Sequence, residues 1–295
     1  MNKLSLETRV QILSMLCEGS SMRSISRVAD VSINTVAKLL VDAGSACATF
    51  HDSVVRGVKA KRVQVDEIWS FTYAKQRNVP TAKAAPEEAG DTWTWTAIDA
   101  DSKLIVSYLV ADRSGEAAHV FIQNVAARLA NRVQLTSDGW KPYLAAVEGA
   151  FGGDIDYAQL DKIYGAAHEK PGRYSPPVCI GAKPRPIIGD PDPAHISTSY
   201  VERSNLTMRM HMRRFTRLTN AFSKKFENHM HMVALYTVWY NFVKQHKTLK
   251  GLSPAMAADL DDHLWSMTDL ANMIDARLPK SGKRGPYKKV AKAVA

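Results

Sequence analysis

The sequence predicts an α/β fold: a mixed β-sheet flanked by helices and preceded by a small all-α module. Apolar residues recur at helical spacing in three short segments before residue 45, and strand-like segments rich in Val, Ile, Trp and Thr follow residue 62. Three of these strand segments are consecutive, and a helix then leads to a fourth. That order is typical of a mixed sheet with helices on its faces.

The individual elements follow from the same periodicities. Strands are predicted over residues 63–73, 92–99, 103–111, 133–136 and 155–164, and helices over 115–130, 142–150, 199–217 and 224–247. Seven of the 13 prolines fall within residues 165–197, which predicts a long irregular excursion there.

The chain is predicted to fall into five parts. These are a helix-turn-helix module (1–45), a basic linker (46–62), the sheet domain (63–250), a C-terminal helical segment (251–276) and a basic disordered tail (277–295). The tail holds seven Lys or Arg residues and no acid, a composition that does not support a packed core.

Size and charge limit the class of protein. The 295 residues can hold one core domain and a smaller module. A formal net charge of +10 attracts polyanions, but it does not distinguish DNA from RNA or an anionic membrane. No apolar run is long enough to cross a bilayer and the first residues lack the apolar core of a signal peptide, so we expect a cytoplasmic protein. The three cysteines have neither zinc-ligand spacing nor a disulfide pattern.

The N-terminal module has the pattern of a helix-turn-helix. A first helix stops at Gly19, a second follows a Ser pair, and a third runs from Ser32 to near Gly44. The tight turn over residues 30–32 is typical of this motif. The polar residues that the third helix would present to DNA are Ser32, Asn34, Thr35 and Lys38. A plain three-helix bundle would explain the same apolar pattern.

Three acidic residues are candidate metal ligands. Asp66 lies in the most apolar strand, Asp138 follows the fourth strand, and Glu202 lies in the first turn of a long helix. A charge in so apolar a strand is costly without a counter-ion, and carboxylates are the ligands that Mg²⁺ prefers.

Each of these acids also has a purely structural explanation. Asp66 could lie on the exposed side of a sheet, Asp138 could belong to a simple Asp-Gly turn, and Glu202 could interact with the helix dipole. Asp99 and Asp112 remain possible ligands as well. The combination of the three, rather than any one of them, favours a metal site.

Three segments carry a resemblance to a known family. Residues 66–71 read DEIWSF, residues 136–143 read TSDGWKPY, and residues 200–209 read YVERSNLTMR. Together with the continuation over 213–224, they resemble the acidic motifs of DDE transposases of the insertion sequence one family, over roughly residues 60–250. Many members also carry a Cys-based zinc motif before the helix-turn-helix, and this chain does not. We therefore expect no metal-assisted folding of its N-terminal module.

The resemblance implies an RNase H-like fold, dependence on Mg²⁺ or Mn²⁺, and cleavage and strand transfer at insertion-element ends. It assigns the metal-ligand and catalytic roles to Asp66, Asp138 and Glu202. The partners it implies are double-stranded DNA, as element ends and target, and further copies of the chain in a homodimer or larger assembly. No membrane partner is expected.

A basic segment follows the third acid. Residues 203–250 hold ten Lys or Arg residues and one acid, Glu227, which favours contact with phosphates. Asn205, Arg209 and Arg213 follow Glu202 at helical spacing and are predicted to share its helical face. The full set of predicted DNA ligands here is Asn205, Arg209, Arg213, Arg214, Arg217, Lys224 and Lys225.

Two other functions remain open at this point. A DNA-binding regulator derived from a transposase could keep the fold and lose the chemistry, although the presence of all three carboxylates favours an enzyme. An RNase H-like nuclease without transposition would not need a dedicated N-terminal module for reading DNA sequence.

Overall fold

The computed structural model describes residues 3–165, 178–216 and 220–278. The strands of this part of the chain are β1 Arg62–Thr72, β2 Gly90–Asp99, β3 Ile105–Ala111, β4 Gln134–Asp138, β5 Asp156–Tyr164 and β6 Cys179–Ile188. They form one sheet in the order β3-β2-β1-β4-β5-β6. The pairs β1–β2, β2–β3 and β5–β6 are antiparallel, whereas β4 is parallel to both β1 and β5. The predicted RNase H-like mixed sheet is thereby confirmed.

Helices cover both faces of the sheet. The helices of the described part of the chain are α1 Leu6–Cys17, α2 Met22–Val28, α3 Ile33–Val54, α4 Gly115–Ala126, α5 Pro142–Phe151, α6 Ser199–His211, α7 Phe226–Val238, α8 Pro254–Ala257 and α9 Met267–Arg277. Helices α4 and α5 pack together on one face, and α6 and α7 lie on the other. Within the described residues, no helix combines the length and the apolar character needed to span a bilayer.

The third N-terminal helix is longer than the sequence predicts. Helix α3 continues through Gly44 to Val54, so residues 46–54 of the predicted linker are helical. Gly44 does not end the helix; it lies where α3 crosses α7. A Cβ atom at this position would lie 2.4 Å from the Cβ of His231. By contrast, Gly19 has a φ of +74° just after α1, so the predicted stop there is correct.

Replacement of Gly44 by alanine tests this close helix crossing. Alanine is the better helix former by about 1 kcal/mol, so a helix in isolation would gain stability. Here the added methyl group would force α3 and α7 apart, and we expect Gly44→Ala to lower the free energy of unfolding by about 1–3 kcal/mol. Urea denaturation measures the change. Gly153→Ala, at a position with open space around it, is the control, and a stabilised Gly44→Ala variant would contradict the crossing.

The Pro-rich excursion and the later helices also differ from prediction. Residues 165–197 contain strand β6, which the sequence analysis missed because prolines usually interrupt strands. Strand β6 is at the sheet edge, where Pro184 and Pro186 are tolerated since an edge strand has a row of unpaired N–H groups. Residues 166–177 of this stretch lie outside the described residues.

The two long helices are shorter than predicted. Helix α6 ends at His211, before the predicted end at 217, and α7 gives way to a π-helical turn over Trp239–Val243. The predicted tail begins inside structure, because Arg277 is the last residue of α9. Residues 279–295 lie outside the described residues.

Candidate active site

Asp66 and Asp138 lie level with each other on neighbouring parallel strands. Strand β1 pairs with β4 only through residues 62–64, in a register where Gln64 lies opposite Thr136. Two further residues along each strand bring Asp66 level with Asp138, at the point where the strands no longer pair. Both carboxylates therefore lie at an opening of the sheet, which is where ligands bind in folds of this kind.

Gly139 makes room for this arrangement. A Cβ atom at residue 139 would lie 2.0 Å from Oδ1 of Asp161 on the neighbouring strand β5. The chain bends at Gly139, although the residue does not adopt a positive φ. At this bend Asp138 accepts a hydrogen bond at Oδ1 from the backbone N–H of Trp140, at 3.0 Å.

Glu202 is held near Asp66 by a side chain of the same strand. The backbone N–H groups of Tyr200 and Val201, in the first turn of α6, donate to Oε1 of Gln64 at 2.8 and 3.1 Å. Gln64 is 3% exposed. It satisfies helix N–H groups that have no partner inside the helix and fixes the start of α6 two residues from Asp66.

The carboxylate of Glu202 has two partners of its own. Nζ of Lys162, on strand β5, lies 2.6 Å from Oε1, and the hydroxyl of Thr198 donates to the same oxygen. Burial lowers the pKa of Lys162, but the hydrogen bond to Glu202 and the negative charges of Glu202 and Asp66 together outweigh burial and raise the pKa. Asp66, Asp138 and Glu202 line one cleft of about 410 Å³ together with Lys162.

A further carboxylate, Glu67, approaches the two aspartates. Carboxylate oxygens of Asp66, Glu67 and Asp138 all lie within 4.8 Å of one another, whereas Glu202 is not part of this tight group. Sequence reasoning missed Glu67 because adjacent residues of a strand face opposite sides of a sheet. Beyond Gln64 the sheet is open, and oxygens from both faces can reach the gap.

Arg113 is the cation next to this group. One guanidinium nitrogen lies 3.6 Å from Glu67 and 3.6 Å from Asp138. The guanidinium group lies between the rings of Trp93 and Trp140, with its carbon 5.0 and 4.8 Å from their centroids. Neither Arg113 nor Lys162 could be singled out from the sequence, because only the folded sheet brings the end of β3 and strand β5 close to the acids.

The electrostatics of the group reflect burial and mutual repulsion. Burial raises the pKa of Asp66 to about 6, and the charge of Asp138 acts in the same direction. Burial raises the pKa of Glu67 to about 8; Asp138 adds to the rise and Arg113 opposes it. Carboxylates in this setting favour a proton or a cation.

Asn205 has a different position from the one predicted. Its amide nitrogen donates to Oδ2 of Asp66 at 2.8 Å, and the residue is 5% exposed. Such burial does not suit a phosphate ligand, and the hydrogen bond orients the carboxylate instead. Arg213 also departs from the predicted helical face, because it follows α6 in a short 3₁₀ turn over Arg213–Phe215. Arg209 remains on α6 and is half-buried.

The N-terminal helices face a basic groove of about 870 Å³. Its wall on one side is the start of α3 with Asn34, and on the other Arg213, Arg214 and Lys224. Arg214 is buried enough to lower its pKa to about 10; it donates to the hydroxyl of Ser223 at 2.9 Å and has no carboxylate partner among the described residues. The groove therefore has positive charge that no described acid compensates.

The predicted DNA ligands of α3 differ in whether their side chains already have partners within the protein. Ser32 caps the helix by accepting from Thr35 N–H, and the two hydroxyls lie 2.9 Å apart. Lys38 pairs with Asp42 at 2.6 Å. Asn34 is exposed, as is Lys225 farther along the chain. The predicted ligand Arg217 lies outside the described residues.

No family model matches the chain, and no curated protein matches it. Among solved structures, it is similar to the Mos1 transposase paired-end complex with left transposon end, at 13% identity over 53% of this chain and 60% of that chain, with a TM-score of 0.24. The Mos1 mariner paired-end complex with Mn matches at 14% identity over 51% and 58%, with a TM-score of 0.22. The piggyBac transposase synaptic complex with hairpin DNA matches at 10% identity over 94% and 73%, with a TM-score of 0.36. The chain spans less than two thirds of the two Mos1 chains, and all three are transposase structures.

Proposed function

We propose that the protein is a DNA transposase that cleaves and joins phosphodiester bonds at insertion-element ends, with Asp66, Asp138 and Glu202 as metal ligands. The observation that carries this proposal is the placement of Asp66 and Asp138 level with each other where two parallel strands stop pairing, with Glu202 in the same cleft. Acids so close together repel one another unless a cation lies among them. The resemblance of three segments to the insertion sequence one family supports transposition as the reaction.

The residues of the cleft fit Mg²⁺ or Mn²⁺. Every candidate donor is a carboxylate oxygen, the ligand type that hard divalent cations prefer. Three such oxygens lie within 4.8 Å of one another, and Oε1 of Glu67 is buried without a hydrogen-bond partner among the described residues. A buried carboxylate oxygen normally has a donor or a metal ion, so these donors suit a divalent cation.

The side chains around the carboxylates would prepare the site for this chemistry. A bound metal pair activates the attacking oxygen and stabilises the leaving oxygen of an in-line displacement at phosphorus. Asn205 orients Asp66, and Gln64 holds the start of the helix that carries Glu202. Lys162 and Arg113 lie on the cleft wall and can donate to phosphate oxygens, in the manner of charge-assisted hydrogen bonds.

The basic groove supports a second contact with the same DNA. Asn34 at the start of α3 and the cations Arg213, Arg214 and Lys224 face each other across it, so one duplex could receive both base and phosphate contacts. Because transposition requires two DNA ends to be held together, we also expect a homodimer or a larger assembly, acting in the cytoplasm.

A cleavage and joining assay tests the proposal. The probe is a labelled duplex with the sequences that flank the gene, incubated with protein in Mg²⁺, Mn²⁺ or EDTA. We expect nicks with 3′-OH ends at a defined position, joined products with a second duplex, and neither in EDTA. A duplex of scrambled sequence is the control and should remain intact.

The two other candidate functions give different outcomes in the same assay. A silent regulator would shift the flanking duplex in a gel but leave it uncut in Mg²⁺ and in Mn²⁺. A nuclease without transposition would cut both duplexes and form no joined product. Either result would overturn the proposed function.

A further inference from the structure

Glu67 has the position of a metal ligand that the three predicted acids do not include. Its side chain is 1% exposed, and one of its oxygens lies within 4.8 Å of carboxylate oxygens of both Asp66 and Asp138. Glu202, by comparison, lies outside this group and is paired with Lys162 at 2.6 Å. The carboxylates nearest to one another are therefore not the three that the sequence motifs indicate.

The partners of Glu67 leave it unsatisfied. Within the described part of the chain Oε1 has no hydrogen bond, and the guanidinium nitrogen of Arg113 lies 3.6 Å from Oε2. A charge-assisted hydrogen bond between such groups is usually about 2.7–2.9 Å long. The hydroxyl of Tyr143 lies beside Glu67 and lowers the pKa of that carboxyl, but within the described residues neither Oε1 nor this hydroxyl makes a hydrogen bond of acceptable geometry. Buried carboxylates are ordinarily paired or bound to metal, so Glu67 is a candidate ligand for a cation.

Arg113 gives a second indication of a cation position. Its guanidinium group is equally distant from Glu67 and Asp138, at 3.6 Å from each, and the rings of Trp93 and Trp140 hold it there. It neutralises part of the charge without bonding closely to either carboxylate. A divalent cation between the acids would compete with this positive charge.

We propose that Glu67 is a fourth carboxylate of the divalent-cation site, supplying a ligand oxygen next to Asp66 and Asp138, and that Arg113 is the side chain whose charge opposes the ion. This inference rests on the proposed function, because it concerns the same metal site. Glu67 is added to the three metal ligands of the proposed function. It also gives Arg113 an effect on metal affinity opposite in sign to that of the carboxylates.

Mn²⁺ binding to the full chain without DNA tests the inference. The probe is MnCl₂, and electron paramagnetic resonance measures the free ion. We expect Glu67→Gln, which keeps the shape of the side chain, to weaken Mn²⁺ binding by about tenfold or more. Asp161→Asn is the matched control: this acid lines the same cleft but lies outside the tight group, and its affinity should stay within about twofold of wild type.

Arg113→Met provides a change in the opposite direction. Methionine fills much of the space between the two tryptophan rings and removes the charge, so Mn²⁺ should bind several-fold more tightly than to the wild type. A variant that merely failed to fold could not bind the ion more tightly. Wild-type affinity in both Glu67→Gln and Arg113→Met would overturn the inference and assign Glu67 and Arg113 to a structural ion pair.

Asp66→Asn separates this inference from the proposed function. If Asp66→Asn loses Mn²⁺ binding while Glu67→Gln binds like the wild type, only the role of Glu67 is overturned. If the wild type does not bind Mn²⁺, or Asp66→Asn binds it unchanged, the proposed metal site fails and the inference fails with it.

Discussion

Asp66→Asn is expected to reduce DNA cleavage and joining on the order of 10³-fold or more, the scale of losing a central catalytic group. Asp66 lies level with Asp138 where β1 and β4 stop pairing, and its carboxylate is oriented by the amide of Asn205 at 2.8 Å. Asparagine keeps the shape of the side chain and removes the charge on which metal binding depends. The measurement is the initial rate of nicking on the flanking duplex at saturating Mg²⁺.

Binding of the same duplex should survive this substitution. The basic groove between the N-terminal helices and residues 213–228 is separate from the cleft that holds Asp66. Loss of a negative charge does not weaken attraction to phosphates. A gel-shift titration should therefore give an unchanged or slightly tighter dissociation constant. Asp161→Asn is the control for removing an acid from the same cleft and should retain most of the cleavage rate. An active Asp66→Asn variant would rule out the proposed ligand role.

Periodicity predicted much of the fold because sheet and helix spacing are local properties. The strands from β1 to β5 and the helices on both faces follow from apolar patterns in the sequence. The structure departs from these local patterns where tertiary contacts override them. Gly44 has the sequence signature of a helix end, yet it permits close contact with α7, and edge strand β6 tolerates prolines that interior strands exclude.

The residues of the candidate site also fall into two groups: those that the sequence indicates and those that only the fold brings together. Asp66 and Asp138 could be proposed from the sequence because Asp66 lies within an apolar strand and Asp138 follows another. Glu67, Arg113 and Lys162 could not, since their proximity depends on where β1 and β4 stop pairing and on which elements face the opening. Strand alternation argues against a joint role for adjacent acids, and it fails here because the sheet is open at that point.

The cluster of aromatic side chains around Trp95 gives the largest expected effect on stability. Trp95 is fully buried, and its ring lies 5.7 Å from Phe121, 5.6 Å from Trp140 and 6.0 Å from Tyr143. Its indole N–H donates to the backbone carbonyl of Asp112 at 3.1 Å. The residue therefore joins β2 to both helices of one face and to the tryptophan on which Arg113 rests.

Trp95→Ala should lower the free energy of unfolding by about 3–5 kcal/mol, because it removes a large buried side chain whose space the neighbouring rings cannot fill. Urea denaturation of the metal-free protein measures this change. Trp69→Ala is the matched control, since Trp69 is also in the sheet but is partly exposed, and we expect a loss of about 1 kcal/mol there. Equal losses in the two variants would show that the cluster does not anchor α4 and α5 to the sheet. A greater loss for Trp95→Ala would link the core to the site, because Trp140 and Arg113 would lose their support together.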